Sequence, residues 1–331
     1  MIKVAAITVR LERRGCINQM KRSILERIFR RIRKEFGQHV LLGRFPYAYA
    51  HFYYWKSTDR ELNYSKPDDI NQKMFWLARY WQDPRIVQCA DKLAVRHYLH
   101  SLGLDYILTS IFAVYNSANE IVFEDLPDKF VLKTNHCGGG VNMVLCRDKS
   151  QLDFAKARDT IAVGLRQVIG IPTCEYHYQY IVPRAFAEEY VGDENDERLE
   201  IQFFCFNGKA RHILVRNDLG DASEKSFAIS YDLDWNRVKD RKNEDMNISI
   251  PRLDELDEMI HIANTLARPF PQVRIDLYYV KGKIYFGEMT FSTSGNILWN
   301  YTDEVVKRWG DELVLPPKLK TKWKDVYESQ L

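Results

Sequence analysis

Apolar and polar positions along this chain follow two periods. Spacings of three and four mark helices. Across residues 20–36, Met20, Ile24, Leu25, Ile28, Phe29, Ile32 and Phe36 share one face, and Lys21, Arg22, Arg27, Arg30, Arg31, Arg33 and Lys34 fill the other. This pattern predicts a basic amphipathic helix, with Gly37 as its stop. An aromatic cluster from Phe45 to Trp55 follows it. Met74, Phe75, Leu77 and Trp81 predict a helix within 63–83, closed by Pro84. Asp91 is the N-cap candidate for the next, whose stripe runs Leu93, Val95, Tyr98, Leu99 and Leu102 to Gly103. Residues 152–170 and 253–268 predict two more, the second with acidic residues in its first turns. Alternating and β-branched runs predict short strands and turns over 104–124, and strands within 129–146 and 184–191. A hairpin is predicted at 200–216 about Asn207-Gly208. Residues 218–251 read as a polar loop.

The last such run, 273–290, reads VRIDLYYVKGKIYFGEMT. It predicts a hairpin about Lys281-Gly282 with Asp276 on one arm and Glu288 on the other. A carboxylate in an apolar strand is costly unless paired, hydrogen-bonded or bound to metal. Side chains alternate along a strand, so an odd number of loop residues puts the two on one face and a two-residue loop puts them on opposite faces. A three-residue loop ended by a left-handed Gly282 gives the first arrangement. Two carboxylates on one face suit a hard cation such as Mg²⁺. The alternative is neutralisation by Arg274 or a lysine.

Residues 129–146, KFVLKTNHCGGGVNMVLC, place Lys133 in an apolar strand before Gly138, Gly139 and Gly140. Successive glycines let backbone N–H groups close on phosphate oxygens. The stretch lacks the Walker lysine and is followed by a strand, which excludes a P-loop, and it lacks the GxGxxG of a dinucleotide fold. A flexible hairpin with a solvent-facing lysine is the plainer reading. The strand in RAFAEEYV ends on Glu188, Glu189 and Tyr190. Adjacent carboxylates there suit an adenine amino group or a ribose hydroxyl, or are exposed loop charges.

Composition narrows the classes. With 46% apolar and 13% aromatic residues the chain folds, and its length predicts more than one lobe. No apolar run approaches the ~20 residues of a membrane span, and the N-terminus lacks the order of a secretion signal. Six cysteines without CxxC spacing fit a reduced, cytoplasmic setting. The net charge of +3 is uneven: residues 1–60 hold 14 basic and 4 acidic residues, the remainder 34 and 41. The N-terminal helix therefore suits an anionic membrane surface or a docked position with its basic face solvated, and the acidic remainder argues against nucleic acid.

Five segments together resemble the TupA-like ATP-grasp family of bacterial surface-polysaccharide biosynthesis: INQKMFWLARYWQDPRIVQCADKLAVRHYL, LPDKFVLKTNHCGGG, AEEYV, QFFCFNGKARHI and the 273–290 hairpin with the FSTSG after it. The resemblance covers about residues 63–315 in the family's order. It implies an α+β ATP-grasp fold, two lobes with the nucleotide between antiparallel sheets, here preceded by a helical basic segment. The expected divisions are 1–62, a helical pre-grasp region 63–125, lobe A 126–185 with the glycine lid, lobe B 186–315 with the metal hairpin, and a basic tail 316–331.

The family pattern also implies roles. Lys92 and Lys133 would contact phosphates or the adenine edge, and Gly138–Gly140 would be the lid. Glu188 and Tyr190 would lie at the adenine hinge, with Glu189 near the ribose. Arg216 would be a phosphate or transition-state cation. Asp276 and Glu288 would hold Mg²⁺. Where many ATP-grasp enzymes end this hairpin in Glu-x-Asn, whose Asn is a further metal ligand, this chain has Glu288-Met289-Thr290, so Thr290, a weaker ligand, would take that place for one or two Mg²⁺ ions, with Asn296 the candidate substitute. The implied reaction is ATP- and Mg²⁺-dependent ligation through an acylphosphate, joining an amine or amino acid to a uronic acid of a glycan or glycolipid. The enzyme is expected to be cytoplasmic, with residues 20–36 giving a peripheral membrane contact. Two alternatives stay open: a metal-dependent glycosyltransferase and a non-catalytic nucleotide- or glycan-binding assembly factor.

Overall fold

The computed structural model describes residues 31–32, 44–138, 142–192, 198–217, 227–244 and 246–323. The predicted helix at 20–36 falls almost wholly outside them, as do Gly139 and Gly140. The chain divides into two compact units, Met1–Leu62 and Asn63–Leu331. In the first, the aromatic cluster forms helix α1, Pro46–Thr58, with proline in its first turn and Asp59 in the left-handed region at its end. Tyr49, Phe52 and Tyr54 are buried.

The second unit opens with α2, Ile70–Tyr80. Asp69 caps it by accepting from the Gln72 N–H at 2.8 Å. Helices α3, Arg85–Ala90, and α4, Val95–Ser101, follow. Asp91 caps the turn that precedes α4, accepting from the N–H groups of Leu93 and Ala94. Two antiparallel sheets then carry the rest. The first contains β1, Ile111–Tyr115, β2, Phe130–Thr134, β3, Val144–Cys146, and β4, Ala185–Glu188, in the order β1-β4-β2-β3. Helix α5, Phe154–Leu165, covers one face and builds a small core with Phe130, Leu132, Ala185 and Ala187.

The second sheet contains β5, Leu199–Phe206, β6, Lys209–Arg216, β7, Ala228–Tyr231, β8, Gln272–Val280, and β9, Lys283–Thr290, in the order β7-β6-β5-β8-β9. Asn207 and Gly208 form the β5–β6 turn, both with positive φ. The region expected to be a polar loop contains β7. Its Ile229, Ser230 and Tyr231 are buried against β6, and that pairing overrides the polar composition around them. Alternation sends Ile201, Phe203, Ile275 and Leu277 into the core with α6, Leu256–Ala267. Arg274, Asp276 and Gln202 go to the opposite, polar face. A last helix, α7, Asp303–Glu312, packs so closely on the start of α2 that a Cβ at Gly310 would lie 2.6 Å from Asp69 Cα.

Candidate active site

The β8–β9 hairpin closes through two residues, Lys281 and Gly282, both left-handed, with Val280 paired to Lys283. Of the two loop lengths open from the sequence, the two-residue one is therefore the one present. A two-residue loop would set residue 287 opposite Asp276. Instead, the register slips by one residue at Gly287, and Asp276 pairs with Glu288. The bulge, one extra residue on one strand, does what the longer loop was expected to do. Glycine is required there: a Cβ on Gly287 would lie 2.9 Å from the Asp276 carbonyl oxygen.

Arg274 and Thr290 form the next cross-strand pair on the same face. The Arg274 guanidinium donates to both Asp276 oxygens, from Nε at 2.7 Å and Nη2 at 2.5 Å. Its Nη2 also donates to Glu288 Oε1 and Thr290 Oγ1, each at 3.2 Å. Thr290 Oγ1 donates to Glu288 Oε1 at 2.9 Å. Lys92 Nζ lies 3.2 Å from Glu288 Oε2 and donates to the Cys137 carbonyl at 2.8 Å. One lysine thus ties the hairpin to the residue before Gly138. Gly138 itself is exposed, and a Cβ there would meet nothing within 4 Å.

Burial pushes the Asp276 carboxyl up to about 7 against the pull of Arg274. Burial acts on Glu288 too, but Lys92, Arg274 and Thr290 outweigh it and hold that carboxyl at about 2.

On the first sheet, Lys133 Nζ pairs with Glu188 Oε1 at 2.5 Å and lies over the Phe186 ring. Thr109 Oγ1 donates to Glu188 Oε2 at 3.1 Å. Glu189 accepts from the Ser110 N–H at 3.1 Å. Tyr190 follows β4, and its ring packs against Gly192. Arg216 ends β6 opposite Glu200 and Ala228 on the polar face of the second sheet. Asn296 ties the loop after β9 to the segment before β4. Its Nδ2 donates to the carbonyls of Thr173 and Cys174, at 3.3 and 3.5 Å.

Several residues that organise the site carried no local signal. Asn135, fully buried, donates to Asp91 and Val182, and it accepts from the Arg184 N–H. The Lys92 N–H donates to its carbonyl at 3.0 Å, so Asn135 positions that lysine. Glu175 accepts from Thr173 Oγ1 and Ser292 Oγ, both at 2.6 Å. Tyr178 feels the charges of Glu175, Glu288 and Arg274, and burial raises its hydroxyl well above the usual range.

The donor set fits Mg²⁺. Two carboxylates and a hydroxyl, all hard oxygen donors, converge on one face, and they already gather cationic charge from Arg274 and Lys92. Among the described residues no group of three or more His, Cys, Asp or Glu could hold a metal ion. The remaining ligands would come from phosphate oxygens and water, as is usual for Mg²⁺.

A family model described as TupA-like ATPgrasp matches residues 72–314, the greater part of the chain. No curated protein matches it. Among solved structures, an L-amino acid ligase from Bacillus licheniformis is 14% identical, covering 68% of this chain and 47% of that one, with a TM-score of 0.44. D-alanine–D-alanine ligase from Bacillus anthracis, complexed with ATP, is 15% identical over 62% of this chain and 54% of that one, at 0.34. D-alanine–D-alanine ligase from Helicobacter pylori is 12% identical over 75% and 70%, at 0.41. The chain spans about half the length of the first two. ATP-grasp ligases use ATP and Mg²⁺. With two antiparallel sheets and a family match that spans both of them, the chain belongs to the TupA-like ATP-grasp family.

Proposed function

We propose that this protein is an ATP- and Mg²⁺-dependent carboxylate–amine ligase. Its carboxylate substrate is a uronic acid of a bacterial surface glycan, and its amine is an amino acid or a related amine. The carboxylate is phosphorylated to an acylphosphate, and the amine displaces phosphate from it. The observation that supports this best is the Asp276–Glu288 pair, held on one face by the Gly287 bulge and joined by Lys92 to the Cys137 carbonyl just before Gly138.

Asp276, Glu288 and Thr290 would hold Mg²⁺, which neutralises phosphate charge when bound. Lys92, Lys133 and Arg216 add fixed positive charge toward the nucleotide and the developing transition state. Glu188, with Glu189 and Tyr190 behind it, faces the adenosine end. No side chain is needed as a covalent nucleophile, so catalysis is positioning and charge neutralisation. The uneven charge supports a peripheral membrane role for residues 20–36, where anionic glycolipids would be met. That role is lost if removing residues 1–36 leaves vesicle co-sedimentation unchanged.

The test is incubation with Mg-ATP, an amino-acid panel and a uronic-acid glycan, following ADP and amide together. ADP release that needs both partners supports ligation. Sugar transfer from a nucleotide sugar without ATP, or binding without turnover, would refute it. Glu288→Gln should abolish turnover, and an unaffected variant removes the metal assignment.

A further inference from the structure

Glu175 lies in the segment between α5 and β4, far in sequence from the hairpin. It is partly buried, and both Glu288 and Arg274 act on it electrostatically. Three other carboxylates have cationic partners: Asp276 and Glu288 have Arg274, and Glu188 has Lys133, while Glu189 accepts from the Ser110 N–H. Among the described residues Glu175 has none. Each of its oxygens accepts one hydroxyl, from Ser292 and Thr173. An ionised carboxylate offers about four acceptor positions, so it retains capacity for another donor.

The backbone that holds Glu175 is unusual at both ends. Gly170 (φ +87°) approaches it so closely that a Cβ there would lie 2.2 Å from the Glu175 carbonyl oxygen. Cys174, next to it, is left-handed at φ 62°. The facing loop carries Ser294, Gly295 and Asn296 in the left-handed region, at φ 53°, 66° and 65°. Asn296 clasps the first loop through the Thr173 and Cys174 carbonyls. Non-glycine residues in this region are strained and persist where surrounding structure over-determines them. Here two strained loops, joined by Asn296 and Ser292, hold a carboxylate that contacts the residue two positions after Thr290 and has no cationic partner among the described residues.

We infer that Glu175 is the amine-side residue of the site: it binds the substrate's ammonium group and takes one proton from it. This inference rests on the ligase reading. The ammonium supplies the missing cationic partner. One N–H proton passes to a Glu175 oxygen and frees the nitrogen lone pair. The nitrogen bonds to the acyl carbon, and the carbon–oxygen bond to phosphate breaks, its electron pair leaving with the phosphate. The second nitrogen proton departs on that phosphate, and Glu175 returns its own proton to solvent. Glu175 is thereby assigned a catalytic role, and Ser292, Thr173 and Asn296 are positioning residues.

Calorimetry on the full chain tests this in two stages. A non-hydrolysable Mg-ATP analogue is titrated first; failure there overturns the ligase reading itself. The twenty amino acids and ethanolamine are then titrated onto the nucleotide-bound protein. At least one should bind, and Glu175→Gln should weaken it about 10- to 100-fold, as for a hydrogen bond to a charged group, with nucleotide affinity unchanged. Glu175→Asp should recover part of the loss. A wild-type protein that binds nucleotide but no amine overturns the assignment, and so does unchanged amine affinity in Glu175→Gln. Hydroxylamine, which is uncharged at neutral pH, separates proton transfer from folding. With D-glucuronate as the carboxylate, Glu175→Gln should keep hydroxamate formation while losing amide formation. Equal loss of both refutes the proton role.

Discussion

Replacing Gly287 with alanine tests whether the bulge sets the site. The added methyl would sit 2.9 Å from the Asp276 carbonyl oxygen, 3.3 Å from its carbon and 3.3 Å from the Tyr278 ring. The first of these is a backbone contact inside a paired strand, so the two strands must separate by roughly half an ångström or more. Overpacking of this kind costs about 1–3 kcal/mol. In a unit of this size each kcal/mol lowers the melting temperature by about 2–4 °C. The strand that moves carries Asp276, and an error of about 1 Å at a reacting group costs on the order of 100-fold. A displacement half as large should weaken Mg-ATP affinity or turnover about tenfold. Gly282→Ala is the comparison. Gly282 is left-handed at φ +82°, and its new Cβ would meet only the Glu255 carboxylate, at 3.3 Å. Its penalty is the backbone cost of about 1–2 kcal/mol, paid at the turn and away from the carboxylates. Thermal unfolding and calorimetry with Mg-ATP should therefore show both variants destabilised and only Gly287→Ala impaired in binding. The reasoning fails if Gly287→Ala matches the wild type in both measurements, or if Gly282→Ala loses as much affinity.

Lys133→Met strands the mostly buried Glu188, and breaking a buried pair this way costs about 3–5 kcal/mol. Denaturant titration should show most of that loss recovered in Lys133→Met/Glu188→Gln, with nucleotide binding still weakened. Asp69→Ala removes the cap on the Gln72 N–H and should cost about 0.5–2 kcal/mol by the same titration. His177 is 3% exposed, and burial lowers its imidazole to about 3. The unfolded chain has the ordinary value near 6.5. Stability from this neutral histidine is therefore fully present above about pH 6.5 and lost as pH falls toward about 3, on the order of 4–5 kcal/mol in all. His177→Phe should flatten that part of the curve of melting temperature against pH; an unchanged acid slope would refute it.

Much of this protein is local. The Asn207-Gly208 turn, the Asp91 cap, the stripes of α2 and α6 and the two arms of the β8–β9 hairpin follow from residues a few positions apart, so periodicity and turn chemistry reveal them. The family pattern is likewise carried by short segments in fixed order, and it holds over residues 72–314. Strand β7 was hidden because its short run sits in polar sequence, and only its partner β6 makes it a strand. The bulge was hidden for a related reason. Which residue of a strand is left unpaired depends on the register of its neighbour, and Gly287 alone does not announce it.

The charges divide in the same way. Asp276, Glu288, Lys133 and Arg274 are legible as charges out of place in apolar strands. That Arg274 spans both carboxylates, and that Lys92 reaches the hairpin from another segment, is decided by packing. Glu175 is the extreme case: its Ser292 partner is 117 positions away, and that it has no cationic partner among the described residues is visible only in the folded chain. The sequence by itself determined most of the elements, the family and most of the charged groups. Tertiary structure decided which of those groups meet, because register and loop-to-loop contact depend on residues far apart in the chain.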